Sequence, residues 1–239
     1  MIRIAHAYDN LLNLYGSHGN IMVLERYLNE AGYETKVSSF TTGQYMDISQ
    51  YDLVYFGAGT ERNMILSLLD FRRYFSELKE YLEDGRKLLV TGNSMAIFGN
   101  SITDINGKTY EGAELIDITT TIHTKRTYSE LVMTSNLLEQ PVIGNINSSV
   151  DITVKNETPM FTVIKETSGR RRTEGVQQEQ IFATEVSGPL LVRNPFLLHK
   201  YAELLVEKEI WESQESWFSI ATAGYTASLA ALKRELKIS

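Results

Sequence analysis

Residues 88–99 read LLVTGNSMAIFG, and this stretch decides the fold of the chain. Residues 88–91 are an apolar run typical of a buried strand, and Gly92 and Asn93 then turn the chain abruptly into a segment of helical character. Many hydrolases hold a nucleophile at the top of a parallel sheet on such a sharp turn between a strand and a helix. Here a glycine stands at the turn, and the chain of 239 residues contains no cysteine. The stretch therefore predicts an active site that has lost its chemistry or one built on Ser94.

The sequence before this turn alternates between strand-like and helix-like segments. Apolar runs predict strands at 2–7, 34–40 and 51–57. Helical spacing of apolar residues predicts helices at 20–31 and 63–84. This βαβ rhythm predicts a parallel sheet that is covered by helices on both faces.

Beyond residue 107 the pattern changes to short segments in which apolar and polar residues alternate. These segments predict antiparallel or mixed strands that extend the sheet, at 131–135, 152–155, 160–165 and 180–186. The chain shows no internal repeat and no low-complexity segment.

The tail is helical, with one amphipathic stretch at 196–209 and a second at 215–236 that Gly224 could interrupt. No linker is long enough to divide the chain, so we expect one domain at 1–205 and a C-terminal helical extension at 206–239 packed on it. Large apolar side chains of this tail need a surface to cover, and any that stay exposed as a patch would mark an interface. They are Trp211, Trp217, Phe218, Tyr225 and Leu229.

Composition excludes several classes of function. The formal net charge of −7 gives no reason to expect a nucleic acid or an anionic membrane as partner. Without cysteine there is no disulfide, no thiolate metal site and no thiol catalysis, and the four histidines show no metal-binding spacing. No stretch reaches the length of a membrane span. We therefore expect a cytoplasmic protein without a metal or another cofactor.

Three loops at the carboxyl ends of the predicted strands are the candidate ligand site, because ligands of such sheets bind there. They are residues 7–19, the glycine-rich loop Gly57-Ala58-Gly59, and the turn at Gly92 with Asn93. Small residues permit close backbone approach and leave N–H groups free for an anion. The alternative interpretation is that all three are ordinary turns between strands and helices.

Five motifs in order resemble those of the class I glutamine amidotransferases, in the cobyric-acid-synthase-like branch that includes the GatD glutaminase subunits. NLYGSHGN at 13–20 resembles NLYGDxGN, FGAGTER at 56–62 resembles a GGGxDxxQ loop, and TGNSMAIFG at 91–99 resembles ICGGYQLLG. GAELID at 112–117 with Lys125-Arg126 resembles GLGLLD with a basic pair, and SGPLLVRNP at 187–195 resembles HGPLLPKNP. The resemblance covers residues 1–205 and implies a flavodoxin-like α/β fold.

In this family a cysteine on the turn attacks the side-chain amide of glutamine, and a histidine on a later strand activates the cysteine. Backbone N–H groups stabilise the oxyanion that forms. The resemblance implies that these donors belong to Gly57, Ala58, Gly59 and Asn93. The freed ammonia passes to a synthetase partner, which for GatD is a Mur-ligase-like protein. The resemblance also implies contacts from His18, Arg126 and Asn147 to a small amino-acid-like ligand.

The chain departs from the family at both catalytic positions, because Gly92 stands at the cysteine and Ser187 at the histidine. Loss of such a pair costs on the order of 10⁶ in rate. The sequence therefore predicts a GatD-like subunit that is inactive as a glutaminase and acts as a scaffold or regulatory partner of a Mur-ligase-like amidating synthetase, or associates with a second copy of itself.

Two alternatives stay open. One is a glutaminase subunit by pathway, of a lipid II isoglutaminyl synthase or a cobyric-acid-synthase-like enzyme, whose synthetase draws on free ammonia. The other is a hydrolase that uses Ser94, since Gly92-Asn-Ser-Met-Ala96 fits the loose pattern of a serine nucleophile turn. Its base would be His123 or His199, and its orienting acid Asp117 or Asp151. Glu61 and Arg62, which follow the glycine-rich loop, are further candidates for contact with a polar ligand.

Overall fold

The computed structural model describes residues 1–210 and 215–238. Within them the strands are β1 (Ile2–Ala7), β2 (Thr35–Phe40), β3 (Leu53–Phe56), β4 (Lys87–Thr91), β5 (Ser101–Thr103), β6 (Thr109–Glu111), β7 (Ile118–Ser135), β8 (Leu138–Val154), β9 (Phe161–Glu166), β10 (Thr173–Glu174), β11 (Val176–Gln177) and β12 (Ile181–Thr184). The α-helices are α1 (His18–Glu30), α2 (Glu61–Phe71), α3 (Phe75–Glu83), α4 (Leu190–Arg193), α5 (Pro195–Val206) and α6 (Ser216–Leu236).

The first sheet has the strand order β11-β12-β4-β3-β1-β2, and all its pairs are parallel except the one between β11 and β12. Every residue of β3 and β4 is buried, as expected for parallel strands that are covered on both faces. The register pairs Phe56 with Val90 and Thr91 with Thr184, so β3, β4 and β12 end at the same edge. The predicted α/β fold with a flanked parallel or mixed sheet is confirmed.

The second sheet has the order β10-β9-β7-β5-β6, with β8 paired to β7 in a long antiparallel hairpin. The prediction that the segments after residue 107 extend the first sheet is therefore wrong for all but the last of them, which contains β12. The strand β7 runs for 18 residues, and its middle is exposed and polar, from His123 to Tyr128. Because this middle lacks apolar alternation, the pattern revealed only the buried end of the strand at 131–135.

Three helical segments differ from their predicted form. The single helix expected at 63–84 is divided into α2 and α3 by a 3-10 turn at Arg72–Tyr74, at a point where Phe71 and Tyr74 are both buried. The segment after the turn at Gly92 is a 3-10 helix, Gly92–Phe98. In contrast, α6 continues through Gly224, where an added Cβ would meet no atom within 4 Å.

The tail packs on this same chain. Phe218 is buried with its ring centroid 5.6 Å from that of Tyr27. Tyr225 is also buried and donates a hydrogen bond to the Pro141 carbonyl at 2.6 Å. Trp217 is half-buried and donates its indole N–H to a Glu30 carboxylate oxygen at 2.7 Å. These aromatic side chains therefore form no exposed patch. Leu229 is half-buried against residues of β7 and β8. Trp211 lies outside the described residues.

No helix within the described ranges is both long and apolar enough to span a membrane.

Candidate functional site

Three loops meet at the carboxyl edge of the first sheet. Gly57 follows β3, Gly92 follows β4, and Ser187 lies three residues beyond the end of β12. The Ser187 N–H donates to the Asn145 carbonyl on β8 at 2.8 Å, which ties this loop to the second sheet. Gly92 and Ser187, where the sequence motifs predict the catalytic cysteine and histidine, thus lie at the same edge of the sheet.

Position 92, where the sequence motifs predict the nucleophile, has no room for a side chain. Gly92 has a φ of +76°, a conformation that residues with a Cβ rarely adopt. A Cβ on Gly92 would lie 2.4 Å from the Cβ of Ala58 and 3.0 Å from its Cα. Ala58 is itself buried in the glycine-rich loop. The methyl group of Ala58 therefore occupies the space into which a nucleophile at position 92 would project.

The backbone donors of the glycine-rich loop are already engaged within the chain. The Ala58 N–H donates to Ser17 Oγ at 3.0 Å, and the Gly59 N–H donates to Asn93 Oδ1 at 3.0 Å. Ser17 and Asn93 are both buried. An oxyanion hole needs donors that are free to meet the charge as it develops. In the loop where the motifs predict that hole, these two donors are paired with side-chain oxygens of the chain itself.

A buried hydrogen-bond network joins the start of α1 to the strands β3 and β4. The Tyr55 hydroxyl donates to the Ser17 carbonyl at 3.0 Å, lies 2.7 Å from Thr91 Oγ1 and accepts from Asn20 Nδ2 at 2.9 Å. Burial raises the pKa of Tyr55 to about 12, so its hydroxyl stays neutral. Asn20 also accepts the Leu191 N–H at 2.8 Å, which joins the NLYGSHGN motif to the SGPLL motif.

A second polar cluster joins the β7–β8 hairpin to α2 and to the turn that precedes α1. Arg126 on β7 makes a bidentate ion pair with Glu61 at 2.9 and 3.1 Å. It also donates to the Tyr15 hydroxyl at 3.0 Å and to the Asn147 carbonyl at 2.9 Å, and Ser149 Oγ donates to Glu61 at 2.6 Å. Burial alone would raise the pKa of Glu61, but the Ser149 hydrogen bond and Arg126 outweigh it and lower that pKa. Two predicted ligand contacts, Arg126 and Asn147, are thus brought together, with the guanidinium already paired inside the chain.

The third predicted ligand contact, His18, is paired with another histidine. His18 begins α1, and its Nδ1 lies 3.2 Å from Nδ1 of the fully buried His6, with the two rings stacked at 5.3 Å. No hydrogen bond among the described residues joins His18 to Arg126. Arg62, the other candidate beside Glu61, has an exposed side chain.

The burial of His6 beside His18 predicts that the folded chain loses stability in acid. Burial, followed by the charge of His18, lowers the pKa of His6 to about 4 from 6.5. Between these values the unfolded chain takes up a proton that the folded chain does not, so the free energy of unfolding falls as the pH drops from about 6.5 to about 4, by on the order of 3 kcal/mol.

Urea unfolding at several pH values, compared between the wild type and His6→Gln, measures this contribution. We expect the variant to show a flatter dependence over that range. Equal slopes in the two proteins would assign the acid sensitivity to other groups.

Ser94 and the two histidines predicted as its base make separate contacts. Ser94 is fully buried and donates to the Thr91 carbonyl at 3.2 Å. His123 Nε2 pairs with an Asp151 oxygen at 2.9 Å on the exposed face of the β7–β8 hairpin. His199 Nδ1 lies 2.5 Å from the Tyr27 hydroxyl. Among the hydrogen bonds of the described residues, none joins Ser94 to a histidine, so the predicted base and orienter pair exists without a link to the serine.

Sequence reasoning missed the groups that fill the site. Ser17 occupies the aspartate position of NLYGDxGN, and Asn93 occupies the glycine position after the family's cysteine. Both departures from the motif could have been noticed as a signal. Tyr55, by contrast, reads as one more apolar residue of β3, and only the fold shows that its hydroxyl is the centre of a network.

Comparisons with known proteins agree with this architecture. The family model of the CobB/CobQ-like glutamine amidotransferase domain matches residues 3–195. The lipid II isoglutaminyl synthase (glutamine-hydrolyzing) subunit GatD of Streptococcus pneumoniae is 22% identical over 87% of this chain and 82% of its own length. The subunit of the same name from Staphylococcus aureus is 23% identical over 87% of this chain and 84% of its own length.

A solved glutamine amidotransferase from Thermotoga maritima superposes with a TM-score of 0.52 at 10% identity, over 98% of each chain, and this likeness concerns the fold. The family model spans well over half of the sequence and includes both the NLYGSHGN and the SGPLL motifs. The chain therefore belongs to the CobB/CobQ-like glutamine amidotransferase family.

Proposed function

We propose that this chain is a GatD-like subunit that does not hydrolyse glutamine and acts as a scaffold or regulatory partner of a Mur-ligase-like amidating synthetase. Hydrolysis by this family needs a nucleophile, a base and free oxyanion donors at one point. The observation that carries the proposal is the occupied nucleophile position, where Ala58 lies 2.4 Å from a Cβ built on Gly92.

The state of the surrounding groups supports the same conclusion. Ser187 is buried, and its hydroxyl donates to the Glu185 carbonyl at 3.4 Å. The N–H groups of Ala58 and Gly59 are satisfied by Ser17 and Asn93. A buried polar group that is already paired gives up its partner at a cost of about 1–3 kcal/mol. The site is therefore arranged as a stable interior, in which glutamine has neither an attacking group nor a receptive oxyanion hole.

A partner role is supported by the relatives and by the surface. Both GatD relatives are named as subunits of an amide-forming synthase. In this chain α1 and α4 pack against each other, and each exposes an apolar side chain, Met22 at 58% and Val192 at 41%. Exposed apolar side chains on two neighbouring helices are suited to a protein interface. Association with a second copy of the chain is the alternative use of such a surface.

The proposal predicts the outcome of a glutaminase assay. The purified chain, alone or mixed with a Mur-ligase-like synthetase, should release no ammonia from glutamine above the background of a protein-free control. The synthetase should amidate its substrate with ammonium chloride, and this chain should change that rate without making glutamine a nitrogen donor.

Ammonia release that Ser94→Ala abolishes would establish the serine hydrolase instead. A synthetase that neither binds this chain nor changes its rate in response to it would contradict the partner role. The Ser67→Ala variant is a matched control, because Ser67 is a buried serine on α2, outside the loops of the site.

A further inference from the structure

The turn between β5 and β6 carries Asn106-Gly107, and Asn106 is the one asparagine of this chain that a glycine follows. Both residues are exposed. The N–H groups of Asn106 and Lys108 donate to Asp104 Oδ1 at 2.8 and 3.0 Å. The Gly107 N–H donates to the Asp104 carbonyl at 3.0 Å. The aspartate thus holds the backbone of the turn from one side.

The side chain of Asn106 takes no part in these hydrogen bonds. Its amide makes none to any other residue that the structure describes, while its backbone N–H is held by Asp104. The amide is therefore free to rotate, and the backbone nitrogen of Gly107 is its covalent neighbour. Two reacting groups held next to each other in one chain react as an intramolecular pair, which lowers the barrier strongly.

The approach to the Gly107 nitrogen is open. Glycine has no side chain, and no atom lies within 4 Å of the position that a Cβ would take at Gly107. The Gly107 N–H must leave the Asp104 carbonyl before its nitrogen can react. A hydrogen bond of this kind contributes only about 0.5–1.5 kcal/mol net, and exposed loop tips open at little cost in free energy. The turn therefore adds only a small barrier to the reaction.

We propose that Asn106 is a site of spontaneous modification, at which the chain loses the side-chain amide through a succinimide. The Gly107 nitrogen gives up its proton and attacks Cγ of Asn106. A bond forms between that nitrogen and Cγ, the bond from Cγ to the amide nitrogen breaks, and the amide nitrogen leaves with a proton as ammonia. Water then adds to one of the two carbonyl carbons of the ring and opens it, which leaves aspartate or isoaspartate at position 106.

Both products change the hairpin of β5 and β6. Each adds one negative charge two residues from Asp104. Isoaspartate also lengthens the main chain by one carbon atom, inside the turn that the hydrogen bond from the Asp104 N–H to the Lys108 carbonyl closes at 2.8 Å. The modified chain is therefore more acidic and has a disturbed turn. The proposal goes beyond the proposed function and does not depend on it.

Asn136 is a control within the same chain. It is also exposed in a hairpin turn, between β7 and β8, but the next residue is Leu137. The side chain of Leu137 hinders attack by its own backbone nitrogen. Asn136 therefore shares the exposure of Asn106 and lacks the open approach.

Peptide mapping by mass spectrometry tests the proposal on the full wild-type chain, incubated in buffer without glutamine. We expect position 106 to change from amide to acid at least about tenfold faster than position 136, which corresponds to a barrier lower by about 1.4 kcal/mol. Both aspartate and isoaspartate should form at position 106. The rate should rise with pH, because the attacking nitrogen must lose its proton.

Two substitutions locate the source of the ammonia. Asn106→Ser should remove the ammonia that the chain releases without glutamine, which amounts to one molecule per chain at most from this site. Asn136→Ser is the matched control and should leave that release unchanged. Should Asn106→Ser disturb the fold, the comparison of positions 106 and 136 in the wild-type chain decides the matter alone.

Two results would overturn the proposal. One is conversion at position 106 that is no faster than at position 136. The other is a product that contains aspartate alone, since a succinimide opens at both of its carbonyl groups. The incubation contains no glutamine, so neither result bears on whether the chain hydrolyses it, and the outcome of the glutaminase assay leaves this test unchanged.

Discussion

Replacing Gly92 with cysteine is expected to destabilise the chain by about 2–5 kcal/mol rather than to restore a nucleophile. Two costs add at this position. A residue with a Cβ is strained at a φ of +76°, and the new Cβ would overlap the Ala58 methyl group at 2.4 Å. Because the neighbouring atom belongs to a short side chain on buried backbone, it cannot swing away.

Three further variants separate the two costs in urea unfolding experiments. Gly85→Cys carries the strain alone, because Gly85 has a φ of +83° and open space around it, and should cost about 1–2 kcal/mol. Gly224→Cys carries neither cost, since Gly224 is helical and nothing lies within 4 Å of its Cβ position. Ala58→Gly in the Gly92→Cys background should recover the part that comes from overlap. A Gly92→Cys protein as stable as Gly85→Cys would show that the loop yields at no cost.

The same geometry bears on any attempt to recover activity. Placing a cysteine and a histidine at the two positions that the motifs predict to be catalytic, as Gly92→Cys with Ser187→His, leaves Ala58 in the way and leaves the loop donors paired with Ser17 and Asn93. We therefore expect that double variant to release no ammonia from glutamine, and we expect Ala58→Gly to be a necessary third change.

The second large effect is expected at Asn20. Its side chain is fully buried, donates to the Tyr55 hydroxyl at 2.9 Å and to the Gly188 carbonyl at 3.4 Å, and accepts from the Leu191 N–H at 2.8 Å. Asn20→Ala leaves these buried groups without a partner and opens a cavity, so the free energy of unfolding should fall by about 3–5 kcal/mol.

Asn20→Asp keeps the volume and the acceptor but removes the donor and buries a charge, and it should be similarly damaging. Asn156→Ala is the matched control, because Asn156 is exposed and its 3.2 Å hydrogen bond to Asp117 lies at the surface. Asn156→Ala should lower the free energy of unfolding by less than about 0.5 kcal/mol. Denaturation midpoints measure all three variants, and an Asn20→Ala protein as stable as the control would mean that water replaces the side chain.

The first sheet was predictable because its strands carry their own signal. The segments around β3 and β4 are continuously apolar and end in glycine, which is the pattern of buried parallel strands. The second sheet was predictable only in part: alternation marked pieces of β7, β8 and β9, but β7 also passes through an exposed polar stretch where neither alternation nor propensity marks a strand. Its pairing with β8 decides its conformation instead.

The candidate site was also predictable only in part. The motifs located Gly92, Ser187 and the loop at 57–59 at one edge of the sheet. That the oxyanion donors are engaged could not be predicted, because it depends on contacts between residues 41 and 34 positions apart in the chain.

The interlocked pair of Gly92 and Ala58 has a consequence for the history of the protein. A Cβ built on Gly92 would lie 2.4 Å from the Ala58 Cβ, so the alanine at position 58 is compatible only with a glycine at position 92. A lineage that gained a cysteine at position 92 before position 58 changed would pass through an unstable protein. The contact therefore sets an order of substitutions, in which a glycine at position 58 comes first. Among relatives of this chain, a side chain at the position of Gly92 should be found together with glycine at the position of Ala58.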